Sequence, residues 1–105
     1  MLKFHFDDAF SAIVCDKGGV RVESQEFLKV FSLTKAVINV GGCFKVPAPK
    51  VLTLIVVLAG HAQIEVDGIL TSARSGTIVF QNPKSKMEIF NHHKDQVKLI
   101  SVKVL

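Results

Sequence analysis

The sequence predicts a small all-β barrel or sandwich, and residues 51–89 carry most of that prediction. Short apolar or alternating segments in this stretch each end in a glycine turn, at Ala59-Gly60, Asp67-Gly68 and Ser75-Gly76. Strands of about eight residues separated by such turns are typical of small all-β folds. Such barrels often hold a ligand at their mouth.

Length and composition indicate one folded domain spanning residues 1–105. Hydrophobic residues make up 49% of the chain, which argues against disorder. A chain of this length buries roughly two-thirds of its unfolded surface. All eight aromatic residues are Phe. No apolar run approaches the roughly 20 residues that span a bilayer, and the N-terminus lacks the apolar core of a signal peptide. We therefore expect a cytoplasmic protein without a membrane partner.

The net charge of +4 is unevenly distributed. Residues 45–105 carry eight basic and four acidic side chains, whereas residues 1–44 carry five of each. A basic half attracts anions or nucleic acid. The basic residues are scattered singly on polar strand positions, however, which indicates a solvated face. The sequence contains no recognisable element for direct nucleic-acid binding.

The first part of the chain is predicted to be extended. Residues 2–15 suggest an edge strand followed by a buried one, and residues 20–23 alternate as a strand. Residues 24–33 fit either a short helix or a strand, and their β-branched and aromatic content favours the strand. Residues 35–40 form another strand that ends at Gly41-Gly42.

The second part contains the clearest strands. Two prolines, Pro47 and Pro49, restrict residues 44–49 to a loop or an edge segment. Residues 51–58 are the most apolar run and predict a strand buried on both faces. Residues 61–67 alternate, so that Ala62, Ile64 and Val66 share one face.

Turn signals organise the end of the chain. Asp67-Gly68 predicts a tight hairpin, and Asn82-Pro83 predicts another turn. Residues 77–80 form a strand running inward. Met87, Ile89 and residues 97–104 suggest a final hairpin around residues 91–95.

These motifs resemble the cupin superfamily. The matching elements are Leu58-Ala59-Gly60, the alternating strand before Asp67-Gly68, residues 76–80 and Pro83. Within this superfamily, residues 60–68 and 76–89 are most similar in sequence to the N-terminal ligand-binding and dimerisation domain of AraC-type transcription regulators. The resemblance covers about residues 44–104 and implies a cupin-like jelly-roll β-barrel, with residues 1–43 as additional N-terminal strands.

The chain departs from metal-binding cupins at the positions where that family holds its metal. By spacing, those positions fall near Val46, Ala48, Thr53 and Met87. Iron, manganese and zinc need imidazole or carboxylate ligands, which this set does not provide. We therefore expect no metal and no other cofactor, and no metal-dependent dioxygenase or isomerase activity.

A second departure concerns DNA binding. AraC-type regulators continue into two helix-turn-helix units, whereas this sequence shows no helical segment of that kind. The resemblance therefore implies either a sensor half in isolation or a free-standing relative.

No convincing catalytic set is apparent. Glu65 and Asp67 share a polar strand face and are expected to be solvated. His92 and His93 lie in a loop, where adjacent side chains diverge. Cys43 would be nucleophilic only with a stabilised thiolate, and Lys45 is its only helpful neighbour. We predict no catalytic residues.

A ligand pocket, if present, is expected to lie between inward apolar side chains. His61 is a candidate at the barrel mouth. The resemblance to cupins implies that Lys84 and Lys86 flank this mouth, where they could recognise an anion. The same apolar residues could instead fill the interior. The apolar pocket candidates are Phe44, Leu54, Val56, Ile64, Val66, Ile78, Phe80 and Met87.

Together these observations favour a metal-free small-molecule-binding and dimerisation module, related to the sensor domains of transcription regulators. A homodimer is expected because the short chain is rich in apolar residues and barrel sheets have edges to cover. Two alternatives remain open at this point. One is a small metal-independent enzyme such as a nucleoside phosphorylase, and the other is a filled-barrel protein-interaction module.

Overall fold

The structure, a computed structural model, describes residues 3–105 and contains ten β-strands and no helix in that range. The predicted all-β fold is therefore confirmed. The strands are β1 (Ala12–Lys17), β2 (Val20–Phe27), β3 (Phe31–Ile38), β4 (Cys43–Val46), β5 (Thr53–Ala59), β6 (His61–Val66), β7 (Ile69–Arg74), β8 (Ile78–Gln81), β9 (Met87–Phe90) and β10 (Val97–Val104).

Two antiparallel sheets face each other as a jelly-roll barrel. The six-stranded sheet has the order β1-β2-β3-β10-β5-β8, and the four-stranded sheet has the order β4-β9-β6-β7. The chain crosses between the sheets after β3, β4, β5, β7, β8 and β9, so most strands that are consecutive in sequence are not paired. Within residues 3–105, no helix has the length and apolar character needed to cross a membrane.

The hydrophobic core lies between the inner faces of the two sheets. Alternate residues of each strand point inward, as the period of two in a β-strand requires. Burying such aliphatic side chains contributes about 1.5–3 kcal/mol each. The members of this core that are at most 1% exposed are Val22, Ala36, Ile38, Ile55, Val57, Ala62, Ala73, Met87, Ile89, Val97 and Leu99.

The ambiguous stretch of residues 24–33 is extended, as predicted. It forms the end of β2, a tight turn at Leu28 and Lys29, and the start of β3. Both turn residues have positive φ angles, 54° and 55°, which are typical of the mirror-image turns that suit the twist of a hairpin. Val30 N donates to Phe27 O at 3.0 Å and closes the turn. Neither turn residue is Gly or Asn, so no local sequence signal marks this hairpin.

The prediction that residues 51–58 are buried on both faces is wrong. Thr53, Ile55 and Val57 are at most 1% exposed, but Leu58 on the opposite face is 43% exposed. Leu54 and Val56, which share that outer face, are half-buried. The strand belongs to a sheet with only one face on the barrel interior, so its second apolar row lies outside.

The predicted final hairpin is also wrong, because β9 and β10 belong to different sheets. Asn91, which is fully buried, fixes the crossing between them. Its Nδ2 donates to Ile38 O at 2.9 Å and to Asp95 O at 2.8 Å, and its Oδ1 accepts from His93 N at 3.1 Å. A buried amide with three partners stabilises the crossing, since leaving it unpaired would be costly.

The N-terminal segment differs from the prediction as well. Residues 3–11 form no strand and lie on the outer side of β2 and β3, and β1 is an exposed edge strand rather than a buried one. Lys35 holds the segment: its amine donates to the carbonyls of Phe6 and Asp8 and lies 4.5 Å from the Phe10 ring centroid. Residues 1 and 2, which the predicted first strand included in part, lie outside the described residues.

Gly60 sits where the chain passes from β5 to β6, against the segment that leads into β10. Its φ angle is +83°, and a Cβ atom there would overlap the Gln96 carbonyl oxygen and lie 2.9 Å from Val97 Cα. Only glycine therefore allows these two corners of the barrel to touch.

We predict that Gly60→Ala destabilises the fold far more than Gly68→Ala. Gly68 has a similar φ of +79°, but a Cβ atom there would meet nothing within 4 Å. The left-handed backbone costs an alanine about 1–2 kcal/mol, and overpacking adds about 1–3 kcal/mol at Gly60 alone. Urea unfolding of both variants measures the difference. Equal losses of unfolding free energy would show that the corner tolerates a side chain.

Candidate functional site

In the six-stranded sheet, the inward side chains of neighbouring strands change from apolar to polar at the same height along the strands. Along β2, β3 and β10, the buried Val22, Ala36 and Leu99 lie in one row. The next inward row of these strands carries hydroxyl groups instead. Its members are Ser24, Thr34 and Ser101, which pair across the strands.

The following row continues this polar character to the edge of the sheet. Lys103 pairs with Ser32 on one side and with Thr53 on the other, and Thr53 pairs with Gln81 of β8. Since paired residues point to the same face, all of these side chains face the barrel interior. Glu26, which pairs with Ser32 from β2, ends the second row but is exposed and does not line the cavity. We call the remaining residues of the two rows the polar band, formed by Ser24, Thr34, Ser101, Ser32, Lys103, Thr53 and Gln81.

The polar band faces a cavity of about 720 Å³ between the two sheets. The opposite wall comes from Phe44 and Val46 of β4 and Ile89 of β9, and the floor includes Ile55 and Leu99. The volume falls within the range of about 300–1,000 Å³ that is usual for small-molecule sites. One end of the barrel is therefore packed solid, and the other end is hollow.

The cavity opens to solvent between β1 and β4. These two strands are edges of their respective sheets and are not paired with each other. The exposed lining residues come almost entirely from this region: they are Val14, Lys17, Gly18, Cys43, Lys45 and Pro47. A slot between two sheet edges thus gives a ligand access to the interior.

All charged residues that line the cavity are lysines: Lys17 and Lys45 at the slot and Lys103 in the polar band. No Asp or Glu lines the cavity within the described part of the chain. None of the three amines lies within 4.0 Å of a carboxylate there, because the ion pairs of residues 3–105 involve other side chains. The cavity is therefore electropositive.

Gln81 ties two loops together at the wall of the cavity. Its Nε2 donates to Ser85 O at 2.8 Å and to Pro47 O at 3.4 Å. Both partners are carbonyls, so the amide orientation is fixed. Its Oε1 is buried and has no hydrogen-bond partner within residues 3–105. An unpaired buried acceptor costs about 1–3 kcal/mol, so a donor that reached it would stabilise the site.

Cys43 is not an activated nucleophile. Partial burial of its thiol against the cavity wall raises its pKa, although the residue as a whole is exposed. The Glu88 carboxylate raises this pKa further, and the Lys45 amine opposes the shift. The thiol therefore stays protonated to higher pH than a free cysteine, contrary to what nucleophilic catalysis needs.

Among the predicted pocket residues, Phe44 lines the cavity and the others lie elsewhere. Leu54, Val56, Ile78 and Phe80 were predicted to point inward, and this orientation is wrong. The pairing of β5 with β10 and with β8 places all four on the outer face of the six-stranded sheet. There Ile78 is 54% exposed and Phe80 is 64% exposed. The inward row of β5 is offset from the predicted row by one residue.

Three other apolar candidates, Ile64, Val66 and Met87, belong to the packed core and do not line the cavity. Lys84 and Lys86 are exposed in the loop between β8 and β9, away from the cavity lining.

His61 also lies outside the lining, and its ring stacks on that of His93 with centroids 4.3 Å apart. The neighbouring His92 ring stacks on Phe90, so the two adjacent histidines of the loop have different partners.

Sequence reasoning missed the polar band. A signal exists in β10, where alternate positions run Val97, Leu99, Ser101 and Lys103 and so change from apolar to polar halfway along the strand. A similar change occurs along β2, from Val20 and Val22 to Ser24. What the sequence does not show is that these changes occur at one level of one sheet.

The interior does not fit the metal that many jelly-roll barrels of this kind hold. Val46 and Thr53 line the cavity and Met87 is buried beside it, but Ala48 is exposed. These side chains offer one hydroxyl and one thioether, which do not bind iron, manganese or zinc as a set. Residues 3–105 contain no group of three His, Cys, Asp or Glu placed to hold a metal ion.

Neither a protein-family model nor a curated protein matches this sequence. Solved structures do match. A predicted oxalate decarboxylase from Thermotoga maritima has a TM-score of 0.76 at 13% identity, covering 99% of this chain and 99% of that one. An RmlC-like cupin from Shewanella frigidimarina has a TM-score of 0.72 at 20% identity, covering 91% and 89%.

A third similar structure is the Cupin_2 domain of an XRE family transcriptional regulator from Enterobacter cloacae. Its TM-score is 0.70 at 14% identity, and the match covers 80% of this chain and 94% of that one. Likeness at such low identity shows the fold alone, since one fold supports many functions. The predicted cupin-like jelly-roll fold is confirmed.

We predict that Cys43 reacts slowly with iodoacetamide at neutral pH, because its raised pKa leaves little thiolate. Glu88→Gln should shift the midpoint of the pH–rate profile downwards, and Lys45→Met should shift it upwards. Rates are measured by mass spectrometry in a Cys15→Ser background, which removes the second thiol. An unchanged midpoint in both variants would contradict the assigned electrostatics.

Proposed function

We propose that this protein is a metal-free small-molecule sensor domain that acts as a homodimer. The observation that carries the proposal is the hollow end of the barrel, a cavity of about 720 Å³ open to solvent through the slot between β1 and β4. A protein interior is normally close-packed, so an unfilled volume of this size with polar and apolar walls favours a ligand site.

The lining supports binding rather than catalysis. Its titratable groups are three lysines and two cysteines, Cys15 and Cys43, without imidazole or carboxylate. General acid–base catalysis near neutral pH most often uses histidine, which the lining lacks, and the raised pKa of Cys43 makes that thiol a poor base. No observation of the cavity favours a nucleoside phosphorylase. The hollow interior also argues against a filled-barrel interaction module.

Two likenesses, which share the cupin fold, support a role in transcription regulation. The glycine turns and the strand that ends in Asp67-Gly68 resemble the ligand-binding domain of AraC-type regulators. The structure is also similar to a cupin domain that belongs to an XRE family transcriptional regulator. In such a role, occupancy of the cavity would change how two subunits present a DNA-binding unit, carried in the same protein or in a partner.

The outer face of β5 and β8 is the proposed dimer surface. The N-terminal segment covers the outer side of β2 and β3 but leaves this apolar face open. Leu58, Ile78 and Phe80 are 43%, 54% and 64% exposed. No charged side chain lies on the outer face of either strand, so a second copy packed there would bury no unpaired charge. Exposed apolar patches of this kind mark interaction sites.

We predict that a screen of sugars, nucleosides and fatty acids finds compounds that raise the melting temperature by several degrees, because a ligand stabilises only the folded state. Ser101→Phe should abolish these shifts by filling the cavity. Ser72→Phe, on the exposed outer side of β7, is the matched control and should leave them unchanged. Shifts that survive Ser101→Phe would place binding outside the cavity, and a screen without shifts would refute the sensor proposal.

We predict that Phe80→Glu converts a dimer to a monomer, because it places a charge in the centre of the proposed interface. Light scattering coupled to gel filtration measures the mass of each species. Leu70→Glu, which changes an equally exposed apolar residue on the other sheet, should leave the dimer intact. A monomeric wild type, or a dimer that only Leu70→Glu disrupts, would contradict the assignment of this surface.

A further inference from the structure

We propose that the ligand of the cavity is an amphipathic anion, an apolar chain or ring system that carries one carboxylate or phosphate group. This inference rests on the proposed sensor function and adds the chemical class of the ligand. It assigns Lys103 and the hydroxyl groups beside it as the subsite for the anion.

Lys103 is the charged group that lies deepest in the cavity. It is on the inner face of β10, half-buried, between Ser32 of β3 and Thr53 of β5. No carboxylate lies within ion-pair distance of it in residues 3–105. Lys103 therefore faces the cavity without a counter-ion, and a ligand oxyanion would supply one.

The neighbours of Lys103 suit an oxyanion. Ser32 is its cross-strand partner, and Ser101 precedes it on the same face of β10. Both hydroxyls can donate a hydrogen bond to a carboxylate or phosphate oxygen. Thr53 already donates to Val51 O at 3.2 Å. The anion subsite therefore combines one ammonium group with two hydroxyl donors, in the charge-assisted arrangement that gives strong hydrogen bonds.

The rest of the cavity requires an apolar ligand body. The wall opposite the polar band and the floor carry side chains that cannot hydrogen-bond, and they are Val14, Val20, Val22, Phe44, Val46, Ile55, Ile89 and Leu99. A sugar would place several hydroxyl groups against this surface, and each unpaired buried hydroxyl costs free energy. The walls thus select against polyhydroxylated ligands, and an alkyl or aromatic body matches them.

The slot adds electrostatic selection. Lys17 on β1 and Lys45 on β4 stand at its two sides, both exposed. These amines attract an approaching anion and repel a cation, although Glu88, the cross-strand partner of Lys45, weakens the effect on the β4 side. The protein therefore selects for a negatively charged ligand at two places, weakly at the slot and more strongly at Lys103.

The test compares four probes with the same eight-carbon chain, namely octanoate, octyl phosphate, octanol and octylamine, in calorimetric titrations of the wild-type protein. We expect octanoate or octyl phosphate to bind at least about tenfold more tightly than octanol, since a hydrogen bond to a charged group is worth more than one between neutral groups. The comparison of the two anions distinguishes a carboxylate ligand from a phosphate one. Octylamine should bind least.

Lys103→Met should remove the preference for the anion while leaving the octanol affinity within about twofold. Lys84→Met is the control, because Lys84 is an exposed lysine outside the cavity. Loss of the preference in Lys84→Met rather than Lys103→Met would overturn the proposal. So would equal affinities for octanol and both anions in the wild type, a result that needs no variant.

Failure of this inference is distinguishable from failure of the sensor proposal. If sugars or nucleosides stabilise the protein in a manner that Ser101→Phe abolishes, but the eight-carbon anions do not bind, the ligand class is wrong and the sensor function stands. If no compound of either set binds, both proposals are refuted.

Discussion

The antiparallel register of the six-stranded sheet is the constraint on which the rest of this structure depends. In a sheet, residues that pair across strands share a face, and a shift of one residue exchanges the two faces. The register aligns Ser24, Thr34 and Ser101 in one inward row and places Lys103 between Ser32 and Thr53 in the next. The hollow, its polar wall and its single deep charge all follow from this alignment rather than from any one residue.

The same sheet explains why the barrel is packed at one end and hollow at the other. Aliphatic side chains such as Ile38 and Val57 fill the packed end, and the crossings fixed by Gly60 and Asn91 hold the two sheets together there. At the hollow end, short hydroxyl side chains leave volume that leucine or phenylalanine would have occupied. The core contributes most of the stability, so the site can remain open and chemically selective.

Several features of the fold could be predicted from sequence because they are local. The Asp67-Gly68 turn forms as expected, with φ angles of 51° and 79°, and β6 buries Ala62 and Ile64 as its alternation indicated. The inward face of β5 could not be predicted, because both faces are largely apolar. Its sequence therefore lacks the alternation of apolar and polar residues that would distinguish the two faces. The four pocket candidates on β5 and β8 share this error, whereas Ile64, Val66 and Met87 lie in or against the packed core.

The sequence by itself determined the all-β class and the glycine-ended strands. These follow from composition, periodicity and spacing, which act over a few residues. Only the tertiary structure decided which face of β5 is inside, that β9 and β10 lie in different sheets, and that hydroxyls from separate strands meet Lys103 around one cavity. The physical reason is that strand partners are chosen by burial across the whole barrel, so residues distant in the chain become neighbours through packing that no local pattern encodes.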